Sequence, residues 1–433
     1  MVPRPRRCGP SLRSSTRRRR GRRPAGPDTG RRSSGKVTAQ PGRVVPPRER
    51  RGRRPRGIAA RAPRNEMPPV SVPRTGGVPM RRTRMILASL ALVACSAPGT
   101  AAGVADKPDP APAVAAPSAP RELVTGLNVP WGIAFLPGGD ALVTERGTAR
   151  LLRVTPQGGV TTVGTIAGVV PRGEGGLMGV AVSPDYATDK AIFVHFTAAS
   201  DNRVVRYRYD TTLSDATPII TGIEKGANHN GGRLAFGPDG YLYVATGEVY
   251  RRELAQDKNS MAGKILRVTK DGRPAPGNPF GSRLWTLGHR NVQGLAWDEQ
   301  GRMFATEFGQ DLYDEVNRIE KGGNYGWPVV EGNGGDPRFV NPLITWRTSE
   351  ASPSGLAYTP GSLWAAALGG RRLWQVPVTN GQVGTPVAHF QNTYGRLRAA
   401  VRAPDGSVWI STSNRESRGT PGPNDDRILV FTP

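Results

Sequence analysis

Cysteine is almost absent: the 433 residues contain two, Cys8 and Cys95, and none lies beyond Cys95. No disulfide framework and no thiolate metal site can therefore hold the C-terminal three-quarters together. Histidine is nearly as scarce, at four, so chemistry that needs an imidazole near neutral pH has few candidates. Long apolar runs are missing too. The best stretch, Met85 to Ala94, is about ten residues, too short to span a bilayer as a stable helix. Patterns of the GxGxxG, Walker A, HExxH and GxSxG types do not occur. Nucleotide, zincin and hydrolase readings are left without motif support.

Acidic residues are scarce in one region. Residues 1–84 carry about 26 Lys and Arg against about 3 Asp and Glu, so most of the formal charge of +26 sits there. The remaining chain is near neutral. Runs such as Arg17-Arg-Arg-Arg-Gly-Arg-Arg, broken by Pro and Gly, cannot bury a core. Residues 1–79 read as a disordered basic arm. It is either an arm for an anionic surface or a stretch upstream of the true translation start. A targeting segment follows it rather than preceding it, which favours the second reading. No nucleic-acid partner is expected.

The targeting segment is 80–95, a positive n-region and then the short apolar run. Its end, Leu92-Val-Ala-Cys95, resembles a bacterial lipobox. That resemblance implies an exported cell-surface or periplasmic lipoprotein, held to the membrane through a lipid on Cys95. An ordinary signal peptide cleaved near Ala97-Pro-Gly-Thr-Ala-Ala is the alternative, and Arg81-Arg82 also suggests twin-arginine export. Residues 96–120 are an Ala/Pro-rich linker, a stiff extended tether. Residues 121–433 are ample for one large core.

Within that region a short pattern recurs six times, beginning at Gly132, Gly179, Gly232, Gly294, Gly355 and Arg398. Copies read Gly132-Ile-Ala-Phe-Leu-Pro-Gly-Gly-Asp-Ala-Leu-Val-Thr-Glu or Gly294-Leu-Ala-Trp-Asp-Glu-Gln-Gly-Arg-Met-Phe-Ala-Thr-Glu. Each is an apolar run, a Pro/Gly/Asp turn and a second run of alternating character, a β-hairpin signature. The spacing, about 43 to 62 residues, is that of propeller blades or solenoid turns. Strand-only repeats favour the propeller. The expected fold is all-β, a six-bladed β-propeller.

Loops linking blades open onto one face, so polar residues just ahead of the repeats converge there. His229, in Gly226-Ala-Asn-His-Asn-Gly-Gly-Arg, is a candidate general base. It reads equally as a turn histidine. Glu248, at the end of the same hairpin, could return to fix its tautomer, or be a solvated strand end. Arg290, in Gly288-His-Arg-Asn, offers a rigid cationic fork, with a structural salt bridge as the other reading. The stretch Thr306–Pro328 gathers carboxylates, amides and glycines suited to a hard cation. Arg396 and Arg398 lie at strand spacing, hence on one side, and need anionic partners or solvent.

Together these segments resemble the soluble quinoprotein sugar dehydrogenases, the glucose/sorbosone dehydrogenase-like family. The likeness spans the domain. It includes Pro130-Trp-Gly-Ile-Ala-Phe, His229-Asn-Gly-Gly-Arg-Leu, Gly288-His-Arg-Asn-Val-Gln-Gly-Leu, Gly323-Asn-Tyr-Gly-Trp-Pro and Gly395-Arg-Leu-Arg. It implies a six-bladed propeller holding pyrroloquinoline quinone (PQQ) and calcium, which oxidises the anomeric hydroxyl of aldoses to lactones and passes electrons to an acceptor. It implies His229 as the base and Glu248 as its orienting acid. It places Arg290 and Asn291 near the quinone, Arg396 and Arg398 on its carboxylates, and the carbonyls of Gly309 and Gln310 on calcium, with Asp314 the acid of that loop. Three positions depart from the family: Gly369 stands where a quinone-binding Lys is usual, Glu350 where a Thr near the cofactor is usual, and Glu174 where a substrate-side Gln is usual. They motivate the alternative of a non-catalytic carbohydrate- or protein-binding propeller that has lost PQQ. A lactonase-type hydrolase is a third reading, requiring carboxylates and amides at the channel centre.

Overall fold

Short apolar runs punctuated by turns cannot be buried singly, so they pair into hairpins and stack. In the computed structural model, which describes residues 116–433, they form six antiparallel sheets arranged as propeller blades. The basic arm, the targeting segment and most of the linker lie outside the described residues.

The inner strands of blades one to six are Pro130–Phe135, Leu177–Val182, Leu234–Phe236, Val292–Trp297, Pro353–Thr359 and Leu397–Arg402. Each begins one of the six sequence repeats. Each pairs with a second strand, across a short turn in five blades and across residues 183–190 in blade two, as Leu295 with Ala305 and Trp297 with Met303. The only α-helix among the described residues is the single turn Tyr186–Asp189. The ring closes through the chain's first described strand, Arg121–Val124, which forms the outer strand of blade six by pairing with Ile428–Phe431.

Six hydrophobic clusters fill the six interfaces between neighbouring blades. Leu142 and Leu151 of blade one meet Leu177 and Ile192 of blade two. On the other face of the same sheet, Val143 and Leu152 meet Ala399 and Trp409 of blade six. Both faces of a blade are therefore core. This corrects the expected alternation in the second strands: Ala141–Glu145, Met303–Glu307 and Ser362–Ala367 are buried at every residue, as sheets covered on both sides require.

The glycines that head the repeats have a steric cause. A Cβ on Gly179 would lie 2.2 Å from Gly232 O, on Gly294 2.5 Å from Ser354 O, and on Gly355 2.4 Å from Ala400 N. In each case the neighbour is the backbone of the next blade's inner strand. Buried hydroxyls fasten the same contacts: Thr144 Oγ1 donates to Met178 O (2.5 Å), Thr306 Oγ1 to Ser354 O (2.6 Å) and Ser411 Oγ to Pro130 O (2.9 Å). The third copy breaks the rule, with Arg233 where the fourth has Gly294. Its side chain enters the channel, donating from Nε to Gln293 O (2.7 Å), with its guanidinium 4.4 Å from the Trp131 ring. Burial, with Arg398 nearby, lowers Arg233 to about 9. Beyond it a cavity of about 410 Å³ opens at the far mouth, lined by the downstream ends of all six inner strands.

Gly355→Ala is expected to destabilise the protein by about 1–3 kcal/mol through overpacking, lowering the melting temperature by ~2–10 °C. Gly138→Ala, where a Cβ meets nothing within 4 Å, is the control and should leave it unchanged. Equal melting of the two variants in thermal unfolding would contradict the close approach.

Candidate active site

An antiparallel hairpin brings the start of its inner strand and the end of its second strand to one face. Here that face carries His229, Arg290, Asn291, Arg396 and Arg398 just before or at inner strands. It also carries Glu248, Gly309 and Gln310 just after second strands.

His229 is buried, with a backbone φ of 54°, a left-handed conformation that needs outside support. Its N–H donates to Glu174 Oε2 (3.0 Å), and its carbonyl packs so close to Gly247 that a Cβ there would lie 1.9 Å away. The ring is held at both nitrogens. Nδ1 meets Glu248 Oε1, and Nε2 lies 3.0 Å from Arg290 Nη2. A guanidinium can only donate, so Nε2 is the acceptor and Nδ1 carries the proton to Glu248. Tyr250 lies against the ring at 4.0 Å. Glu248 is fully buried, and its Oε2 has no partner among the described residues. The hairpin return anticipated from sequence thus brings acid and imidazole together.

Arg290 is braced by Gln310 Oε1 (2.8 Å from Nη2) and Phe308 O (3.1 Å from Nη1), and Glu307 accepts its backbone N–H. Asn291 Oδ1 accepts from Gly231 N (3.0 Å), while its buried Nδ2 has no partner among the described residues. His289, one residue from Arg290, is locked between Thr286 and Glu307 and stacked on Tyr325, a packing role.

Arg396 and Arg398 do share a side, and their partner is neither solvent nor open space but Glu416. Its Oε1 takes Arg396 Nη2 and, at 2.7 Å, Nε. Its Oε2 takes Arg398 Nη2 at 2.5 Å and Arg146 Nη1 at 3.3 Å. Burial pushes the Glu416 carboxyl up, but Arg398, Arg396 and Arg146 together outweigh it and hold the group at about 2. Arg398 also reaches Ser413 Oγ and Gln293 Oε1 and lies 5.9 Å from Trp131. A cavity of about 210 Å³ opens here, lined by Arg146, Glu174, Gln293, Arg396, Arg398 and Arg418 among others. Four arginines and the amides of Asn228 and Gln293 face it and can donate to an anion, a set that fits a planar polycarboxylate.

Of the three departures, Glu174 lines the cavity beside His229, where it bonds the His229 backbone and Asn228 and pairs with Arg418 at 3.2 Å. Glu350 folds back on its own turn, accepting from Arg347 N (3.0 Å), and does not line the cavity. At Gly369 a Cβ would lie 2.6 Å from Ser352 Oγ, so a longer side chain is disfavoured by packing. Arg396 Nη1, 3.3 Å from Leu368 O, brings a cation to that end of blade five. Arg372 turns away to Gly370 O and Trp374.

The acidic loop has an unexpected anchor. Glu331 Oε1 accepts from the backbone N–H groups of Gln310, Asp311, Leu312 and Tyr313 at 2.7–3.0 Å. In planar trans peptides the carbonyls of residues 309–312 then point the other way. Gly309 and Gln310 thus offer two backbone oxygens of the kind calcium takes, out of the about six to eight it needs. Asp314 accepts from Gly309 N (2.9 Å) and Ser352 N (2.6 Å). No cluster of three or more His, Cys, Asp or Glu side chains could hold a metal among the described residues.

Sequence reasoning missed Arg146, Gln293, Glu331 and Glu416. Gln293 had a usable signal, since it lies two residues past Asn291 on the same strand face. Glu416 lies in a Gly/Pro-rich loop beside other charges, where nothing local marks it.

A family model described as glucose/sorbosone dehydrogenase matches residues 127–420. The structure of a PQQ-bound aldose sugar dehydrogenase from Streptomyces coelicolor is similar with a TM-score of 0.70 and 51% identity, covering 72% of this chain and 96% of that one. An aldose sugar dehydrogenase of Escherichia coli is 30% identical over 332 residues, 68% of this chain and 89% of its own. Quinoprotein glucose dehydrogenase B of Acinetobacter calcoaceticus is 32% identical over 259 residues, 51% of this chain and 54% of its own.

Burial raises Asp314 to about 7, and burial together with Glu307 raises Glu315 to about 8. A folded-state value above the unfolded one adds stability in full below the unfolded value and loses it as pH rises through the folded one. With a chelator present, thermal stability is therefore expected to fall between about pH 4 and 8. Glu315→Gln should flatten the upper part of that fall. A pH-independent melting temperature over this window would contradict the shifts.

Proposed function

The chain belongs to the glucose/sorbosone dehydrogenase family, and from that premise we propose that it is an exported, PQQ- and calcium-dependent dehydrogenase that oxidises the anomeric hydroxyl of aldose sugars to lactones. The observation that carries this reading is the meeting of a tautomer-fixed histidine and a buried arginine cluster at one channel mouth. Bound PQQ would supply a two-electron acceptor for the anomeric hydride, and calcium a Lewis acid beside its carbonyl.

The protein's own part is position and proton handling. Arg396 and Arg398 would take the cofactor's carboxylates, with Arg290 and Asn291 beside its ring. The carbonyls of Gly309 and Gln310 would hold calcium. His229 presents its unprotonated Nε2 toward Arg290, and a sugar hydroxyl that takes the place of the Arg290 N–H on that nitrogen gives up its proton there. Glu248 keeps the proton on Nδ1 and stabilises the imidazolium that forms, as an orienting carboxylate does. The lactonase alternative requires several carboxylates or amides meeting at the channel centre; beside Trp131 stand Arg233 and Arg398, with the Gln293 amide on Arg398, which favours the dehydrogenase reading. The non-catalytic alternative rests on Gly369, Glu350 and Glu174, and tight PQQ binding by calorimetry would count against it.

Export through residues 80–95 and anchoring on Cys95 belong to the same proposal, and mapping the mature N-terminus by mass spectrometry tests them. For the reaction, the purified protein is loaded with PQQ and calcium and assayed for dye reduction across aldoses. Turnover of at least one aldose is expected, and none on any sugar would sink the proposal. His229→Ala should cut turnover roughly 10²–10⁴-fold while PQQ binding by calorimetry stays within about threefold. A parallel loss of binding would remove His229 from the role of base.

A further inference from the structure

The arginine cluster carries its own anion, and that has a consequence for whatever binds there. Glu416 is the one acidic side chain that ion-pairs with Arg146, Arg396 and Arg398 among the described residues. The remaining contacts of Arg396 and Arg398 are neutral: Leu368 O, Ser413 Oγ and Gln293 Oε1. The same three arginines and Glu416 line the cavity of about 210 Å³. A ligand carboxylate entering it meets guanidiniums already sharing a negative charge.

Glu416 is not free to leave. The loop before it is pinned by Asp426, whose Oδ1 accepts from Asn414 N (2.5 Å), and by Arg415 Nε on Asp425 O (2.5 Å). Just after it, Gly419 N closes on Glu416 O (2.8 Å). The carboxylate itself is buried, with 7% of its side chain exposed. A guanidinium has five N–H donors, so an arriving carboxylate can share the arginines without displacing Glu416.

We propose that Glu416 is a built-in counter-anion of the cofactor site: it holds the three arginines together in the unloaded protein and competes with the carboxylates of the incoming ligand. The ligand's identity as PQQ rests on the function proposed above; the competition requires only a polycarboxylate. Two like charges a few ångströms apart in a buried site repel by enough to change affinity tenfold or more. Glu416 therefore sets the affinity of the site below what three arginines alone would give. In exchange, the arginines do not repel one another when the site is unloaded.

The test is calorimetric titration of PQQ, with calcium present, into the wild type and Glu416→Gln, with thermal melting of each before loading. E416Q is expected to bind PQQ roughly tenfold more tightly and to melt lower when unloaded. Equal or weaker binding by E416Q overturns the proposal, because Glu416 would then serve only to clamp the arginines. Should E416Q not fold, Glu416→Asp carries the test: withdrawing the carboxylate by one methylene must tighten PQQ binding, and unchanged or weaker binding overturns the proposal. If the wild type itself binds no PQQ, the functional reading fails separately, and citrate becomes the tricarboxylate probe. Citrate must then raise the melting temperature of E416Q more than that of the wild type, and equal shifts overturn the proposal.

Discussion

Backbone contact between neighbouring inner strands is the constraint from which the rest follows. Six strands can surround a narrow channel only if their backbones nearly touch. Glycine at the head of the repeats allows it, as at Gly355, where the neighbours are the backbone of Ala400 and Arg398. That contact fixes where Arg398 starts, and Arg398 is one of the residues on which the site is built. The same device recurs in the loops above: Gly247 lets the His229 carbonyl approach, and Gly231 packs on Thr246. Rigid backbone proximity then lets side chains from five blades meet with little freedom to adjust.

What they form is a balanced charge system rather than a set of independent contacts. Buried arginines are tolerated when paired and hydrogen-bonded. Glu416 pairs three, Glu248 and Arg290 bracket His229 at its two nitrogens, and Glu331 gathers four backbone N–H groups. The guanidiniums of Arg290 and Arg233 have no carboxylate partner among the described residues; Gln310, Phe308 O and His229 serve Arg290, and the Trp131 face and a backbone carbonyl serve Arg233. Its Nη2 is left without a partner among the described residues. Two of the polar atoms still unsatisfied near the mouth, Glu248 Oε2 and Asn291 Nδ2, belong to residues assigned to the base and to the cofactor's ring.

Much of this was legible in the chain, for a definite reason. Repeat spacing gave the blade count, and the place of a residue just ahead of a repeat put His229, Arg290 and Arg398 at one mouth. Position within a hairpin put Glu248 beside His229. Residues whose role depends on tertiary approach were not legible. Glu416 sits 18 residues beyond Arg398 in a loop without periodicity, and nothing local distinguishes it from a solvated acid. Glu174 and Glu350 were placed by likeness to the family, yet their partners are set by backbone N–H groups that only the folded loops supply. The second strands read as alternating because turn and strand signals do not report that both faces of a blade are covered.

The central claim is that this mouth holds PQQ with its carboxylates on Arg396 and Arg398 and its ring within reach of His229. A crystal structure of the protein grown with PQQ and calcium tests it most directly. The account requires the quinone over the inner-strand starts, calcium on the Gly309 and Gln310 carbonyls, and His229 Nε2 facing the ring. PQQ absent from that mouth, or seated in the cavity at the far end of the channel, would contradict it.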